Sequence, residues 1–205
     1  MPRPYSLGRR QTAADETRAR VIAAARGLIV STDGLRGFTV DAVAQEAGVA
    51  RMTVYYQFGS KRGLLEAVFD DLAARGGMER MAAVFTLPDP LEALMELVAV
   101  FVRFWASDRL VLRRLRALAV LDPELGQAVH NRDEWRRNAC RVTVGRLTER
   151  YGRPPAAAVD DAVDLLHTLT SFETFDTLAG TAREFGAVVP LVQRLACSAL
   201  GFVER

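Results

Sequence analysis

Apolar side chains recur at three- and four-residue intervals along most of the chain, and strict alternation over several residues is hard to find. That periodicity predicts helices. Between residues 13 and 31, Val21, Ile22, Ala25, Leu28 and Ile29 fall on one stripe, and Gly34 and Gly37 close the segment. The next helix is predicted from Thr39, whose hydroxyl suits an N-cap. Phe38 before it and Val43 four residues after it suit a hydrophobic staple. Val40, Val43, Ala44 and Ala47 form its apolar side, and Gly48 suits its end. Only Gly48-Val49-Ala50 separates it from a helix over about 51–58, on which Val54 and Phe58 share a face. Two short helices joined by a three-residue turn containing glycine have the form of a helix-turn-helix. Gly59 breaks the chain again, Ser60 can cap a fourth helix, and Leu64, Leu65, Val68, Phe69 and Leu72 form the inner side of that helix up to Gly76-Gly77.

Further helices are predicted at about 90–106, 109–119, 124–151, 156–179 and 181–202. The breaks fall at Pro88/Pro90, Asp122-Pro123, Pro154-Pro155 and Gly180, and Pro190 should kink the last helix by removing one ladder donor. The expected fold is all-α with about nine helices. Residues 1–12 read as a flexible basic arm, 13–62 as a compact three-helix unit, and 63–205 as a larger helical body.

Composition narrows the function classes. Half of the 205 residues are apolar, enough for a core, and no apolar run reaches the ~18 residues of a membrane span. The first twelve residues carry arginines but no apolar h-region, so no secretory signal is expected and a cytoplasmic location is. Cys140 and Cys197 are too few for a disulfide framework and lack metal-site spacing. They read as small buried residues, with redox sensing as the alternative. Asp164 and His167 lie three apart and could share a metal, but a surface or hydrogen-bonded pair is the plainer reading. No metal or cofactor is therefore expected. With two histidines, His130 and His167, and neither a nucleophile elbow nor a phosphate-cradling loop, the chain does not read as an enzyme.

The net charge of +2 conceals an asymmetry. Residues 1–62 hold ten Lys/Arg against five Asp/Glu, a balance of +5, whereas 63–205 hold 17 against 20, a balance of −3. DNA contact at one end is the implication. Arginine abundance alone is not evidence for it, because Lys61 is the one lysine and GC-rich codon usage gives the same bias.

A helix that enters a major groove about 12 Å wide needs short or donor-bearing side chains outward. Arg51, Met52, Thr53, Tyr55, Tyr56 and Gln57 supply that face. Arg51 suits guanine O6/N7 and Gln57 adenine N6/N7. The tyrosine hydroxyls and Thr39 suit phosphate, as does Lys61 at the first turn of a helix, where free N–H groups and the helix dipole favour an anion. Each residue also has a plain reading: ring packing for Tyr55 and Tyr56, a solvated side chain for Arg51, a cap for Thr39.

The stretch TVDAVAQEAGVARMTVYYQFGSKRGLLEA, residues 39–67, closely resembles the DNA-binding domain of the TetR family of bacterial transcriptional regulators. The likeness covers about residues 13–70; beyond that only length, helicity and order of elements are similar. Gln57 stands where many members carry His. Gly63 stands where Glu or Gln would complete a capping box with Ser60, a departure expected to weaken the helix start slightly. The basic arm, with Arg3, Arg9 and Arg10, either reaches along DNA or is a solvated tail.

The resemblance implies a ligand-responsive homodimer, most often a repressor released by a small-molecule inducer, with residues 13–62 as the helix-turn-helix DNA-binding domain that meets operator DNA and residues 63–205 as the helical ligand-binding and dimerisation domain. An activator or a ligand-independent binder with the same head is the alternative. It also implies a dimer interface on the last two long helices, for which Leu165, Leu169, Phe172, Phe185, Val188, Val192, Leu195 and Ala199 are the candidates; the same stripes also fit intrachain core. An inducer pocket inside helices 90–151 and 156–179 would draw on Met95, Phe101, Phe104, Trp105, Leu112, Leu115, Trp135, His167, Ser171 and Phe175, since such pockets are mostly apolar with a few placed polar groups. Ordinary core packing accounts for the same aromatics.

Overall fold

In the computed structural model, residues 5–31, 38–152 and 159–202 are described, with side chains from residue 11 onward. Those residues form eleven α-helices and one 3-10 turn, without a strand. The helices are α1 (Tyr5–Val30), α2 (Val40–Glu46), α3 (Arg51–Phe58), α4 (Lys61–Arg75), α5 (Met81–Val84), α6 (Pro90–Ala106), α7 (Arg109–Ala119), α8 (Pro123–Tyr151), α9 (Val159–Leu169), α10 (Phe172–Ala179) and α11 (Phe185–Ala199). The fold class is the expected one, and the count exceeds nine for two reasons. A one-turn helix, α5, stands where no element is predicted. The segment predicted as 156–179 is two helices, because Ser171 leaves helical geometry and its hydroxyl caps α10 by accepting the Thr174 N–H at 3.2 Å.

The first helix opens at Tyr5 instead of residue 13, so residues 5–12 of the predicted arm are helical. Arg3 and the side chains of Arg9 and Arg10 lie outside the described residues, as does the glycine break after α1. The helix α11 (Phe185–Ala199) continues through Pro190.

The chain forms two compact units. One comprises the described residues up to Asp71 together with Leu110–Ala128; the other comprises Leu72–Arg109 and the described residues from Val129. Most of α7 and the first turns of α8 therefore group with α1–α4, not with the rest of 63–205.

In the first unit Val21, Ala25 and Ile29 of α1, Val43 of α2, Val54 of α3, Leu64, Leu65 and Val68 of α4, and Leu112 and Leu115 of α7 are fully buried. Burying one of the valine, leucine or isoleucine side chains among them contributes ~1.5–3 kcal/mol. Arginines fasten the elements: Arg26 pairs with Asp71 at 3.4 Å, and Arg114 donates to the Ile29 carbonyl at 3.2 Å and to that of Ser31.

The second unit is built on aromatic packing. Trp105 stacks on Phe101 at 6.4 Å and meets Phe172 edge-on at 5.8 Å, and Phe185 closes on Phe172 at 6.0 Å and on Phe175 at 6.3 Å. Trp105 Nε1 donates to the Thr170 carbonyl at 2.9 Å, satisfying its buried polar end. The α9–α10 break gathers a polar cluster around buried Arg136, whose guanidinium donates to the His167 carbonyl and to Thr170 Oγ1 at 3.2 Å and pairs with Asp133 at 3.2 Å.

Candidate nucleic-acid interface

The interface is set by short-range signals. Thr39 has extended backbone angles and its hydroxyl accepts the Ala42 N–H at 3.1 Å, so it is the cap of α2. Phe38 and Val43, the expected staple, are both buried. At the far end the Val49 N–H reaches the Ala44 carbonyl at 2.9 Å and the Gly48 N–H reaches that of Gln45 at 3.1 Å. This is a Schellman stop, and Gly48 accommodates it at φ +65°. The turn then delivers α3.

On α3, Val54 and Phe58 are buried while Met52 is 72% and Tyr56 90% exposed. Both side chains project into solvent beside Arg51. Tyr55, Thr53 and Gln57 are half-buried and Arg51 is exposed. The predicted outward face is therefore one surface, with Tyr56 outermost and Tyr55 partly packed.

Three residues that the sequence reading does not single out shape this surface. Asp41 of α2 pairs with Arg51 at 3.0 Å, while Arg51 also donates to the Tyr55 hydroxyl at 3.3 Å and lies 5.5 Å from that ring's centre. First the tyrosine hydroxyl and then the Asp41 charge hold the guanidinium even more firmly protonated than usual. Arg18 of α1 donates to the Gln57 carbonyl at 3.0 Å and lies 4.5 Å from the centre of the Phe58 ring. The third is Asp122, whose carboxylate accepts from Lys61 at 2.7 Å. That hydrogen bond, partly opposed by burial, holds Asp122 below the usual carboxylate range. Arg18, Asp41 and Asp122 are distant in sequence from their partners or lie on faces that read as solvated, so no local pattern marks them.

Gly63 has a structural reason. A Cβ there would fall on the Phe58 carbonyl oxygen. Glycine thus lets α3 and α4 approach, while Ser60 Oγ still accepts the Gly63 N–H at 3.0 Å. The position that lacks a capping-box side chain is thus also one of close backbone contact.

Residues 21–68 match the family model described as "Bacterial regulatory proteins, tetR family". That segment is of the tetR-family type. Across 178 residues, 86% of this chain and 80% of the relative, it is 26% identical to the HTH-type transcriptional regulator EthR of Mycolicibacterium smegmatis. Over 61 residues, 29% of this chain and 45% of the relative, it is 44% identical to TtgW of Pseudomonas putida, an uncharacterised HTH-type transcriptional regulator. The fold as a whole matches FadR of Bacillus subtilis in complex with stearoyl-CoA, with a TM-score of 0.67, 19% identity and coverage of 91% of this chain and 99% of that one. The helix-turn-helix of α2 and α3 falls within the segment matched to that family.

The two lists for the helical body separate on burial. Phe172, Phe185, Val188 and Val192 are buried within the single chain, so they are core and not a surface that faces a partner. Leu165 and Leu195 are 43% and 40% exposed, and Leu169 and Ala199 are half-buried. Of the pocket candidates, Phe101, Phe104, Trp105 and Phe175 are buried in the second unit, and Leu112 and Leu115 are buried in the first. Met95, His167 and Ser171 are half-buried and Trp135 is exposed. Asp164 pairs with Arg137, and His167 Nε2 lies 3.2 Å from the Asp133 carbonyl oxygen. Cys140 is fully buried, and burial pushes its thiol up to about 11.

Proposed function

We propose that this regulator is an operator-binding repressor that works as a two-fold dimer and is released by a small-molecule inducer. One observation carries the reading: α3 is anchored by Val54 and Phe58 while Met52 and Tyr56 stand out from it beside Arg51. Arg51 and Gln57 would read base edges, and Thr39, Tyr55, Tyr56 and Lys61 would set register on phosphates. Met52 and Thr53 would supply apolar contact to thymine methyls. In a two-fold dimer the paired α3 helices would meet half-sites about 34–36 Å apart. Exposed Leu165 and Leu195 favour pairing through α9 and α11.

The inducer would lodge among the body aromatics and bind the DNA-incompetent arrangement more tightly, since equal affinity for both states shifts nothing. A coupling of ~1–3 kcal/mol gives a 5–150-fold change in operator affinity. Stearoyl-CoA, bound by the Bacillus subtilis FadR of the same fold, is a reasonable first probe.

The test is a duplex selected from a random pool by the purified chain, fused to a reporter and measured with and without the regulator. Removal of the regulator should raise expression, whereas a fall would make it an activator. Arg51→Ala should reduce discrimination at one base pair by about five- to a hundredfold. Tyr55→Ala should weaken all sequences alike and flatten the salt dependence. Unchanged binding by both variants would remove the site assignment.

A further inference from the structure

We propose that Asp122 is a built-in competitor for the phosphate that Lys61 meets, holding DNA affinity below what the charge of the head would give. The inference rests on the reading that Lys61 contacts the DNA backbone. Lys61 is the chain's one lysine and opens α4. Its Nζ lies 2.7 Å from Asp122 Oδ2 and 5.9 Å from the centre of the Phe38 ring.

The carboxylate is fixed in place. Its other oxygen accepts the N–H groups of Glu124 and Leu125 at 3.0 and 3.2 Å, which makes Asp122 the cap of α8, and its own N–H reaches the Leu118 carbonyl at 3.0 Å. One oxygen serves the helix and the other serves the lysine. Asp122 therefore cannot swing away when Lys61 turns to another anion.

The pair is also shielded. It lines a cavity of about 460 Å³ whose other walls include Phe38, Leu65, Leu118 and Leu125. Side-chain exposure is 36% for Lys61 and 25% for Asp122, against 57% and 63% for the Arg51–Asp41 pair. Water and salt screen the second pair far more than the first. An approaching phosphate must draw the ammonium off Asp122 or share it with a carboxylate a few ångströms away. Either course weakens the contact, and both leave Lys61 reachable from its open side.

Wild type, two Asp122 variants, Lys61→Gln and the double variants, all as the full chain, test this on two duplexes, one selected by the wild-type protein and one unrelated, titrated at several salt concentrations. Asp122→Asn removes the charge but keeps an acceptor for the cap; Asp122→Ser does the same should the amide disturb folding. Each should tighten binding to both duplexes about threefold or more and steepen the logarithmic salt slope by about one, as one more counterion is released. In a Lys61→Gln background the gain should vanish. Unchanged or weaker binding by both Asp122 variants overturns the proposal, as does a gain that survives Lys61→Gln, since the effect would not then run through the lysine. If Lys61→Gln alone leaves affinity unchanged, the phosphate role of Lys61 falls and takes the proposal with it. If Lys61→Gln weakens binding while the Asp122 variants match wild type, only the competition falls.

Discussion

Arg18 of α1 donates to the carbonyl oxygen of Gln57 at 3.0 Å, with its guanidinium 4.5 Å from the centre of the Phe58 ring. The contact joins the first helix to the last turn of α3, where unpaired carbonyls and the negative end of the helix dipole attract a cation. It fixes the helix end from which Gln57 projects. Arg18→Ala should cost about 1–2 kcal/mol in chemical denaturation, combining a charge-assisted hydrogen bond with a cation–π contact. DNA affinity should fall without any change in salt slope, because no phosphate partner is lost. A slope that flattens by one would instead make Arg18 a backbone contact.

Gly63 stands where a Cβ would fall on the Phe58 carbonyl oxygen, so its absence lets α4 start directly against the end of α3. Gly63→Ala raises helix propensity by about 1 kcal/mol on paper. The steric conflict should outweigh that gain and leave the variant about 1–3 kcal/mol less stable. Thermal unfolding of the two proteins decides the sign, and a more stable variant would show that the backbone shifts freely.

How far the fold could be read in advance follows from how far each signal reaches along the chain. The α2–turn–α3 segment is legible because Thr39, Val43, Gly48, Val54 and Phe58 each act within a turn or two of their own position. The break at Thr170–Ser171 is not. No glycine or proline marks it, and its partners are Arg136 and Trp105, 34 and 65 residues earlier. The same limit applies to the interface. The outward donors of α3 are visible in its spacing, but the acids that hold Arg51 and Lys61 lie 10 and 61 positions away. A periodic stripe also says that Phe172 and Val188 face something apolar without saying whether it is their own chain. Burial decides that they face their own core.

That distinction predicts different outcomes for two sets of substitutions. Leu165→Glu and Leu195→Glu, at exposed positions, should shift the protein toward monomer in analytical ultracentrifugation while each chain keeps its helical spectrum. Val192→Ala, at a fully buried position, should leave the oligomeric state alone and cost about 1–3 kcal/mol of folding stability through lost burial and a residual void. Glutamate variants that sediment as wild type would place the partner surface elsewhere.

The buried cluster at the α9–α10 break predicts an acid-side loss of stability. Burial first, and then the charge of Arg136, lowers the pKa of His167 below the ordinary histidine value. The folded chain therefore holds this ring neutral at a pH where the unfolded chain already binds a proton. Where the unfolded state binds more protons, stability rises with pH. Acidification from neutral through the ordinary histidine value of 6.5 should thus destabilise the fold, and the loss should level off once the folded-state ring also protonates. His167→Gln cannot take up that proton and should flatten this part of the profile. Urea denaturation midpoints between pH 7.5 and 5 for both proteins test the claim; parallel profiles would mean that His167 titrates alike in the folded and unfolded chain.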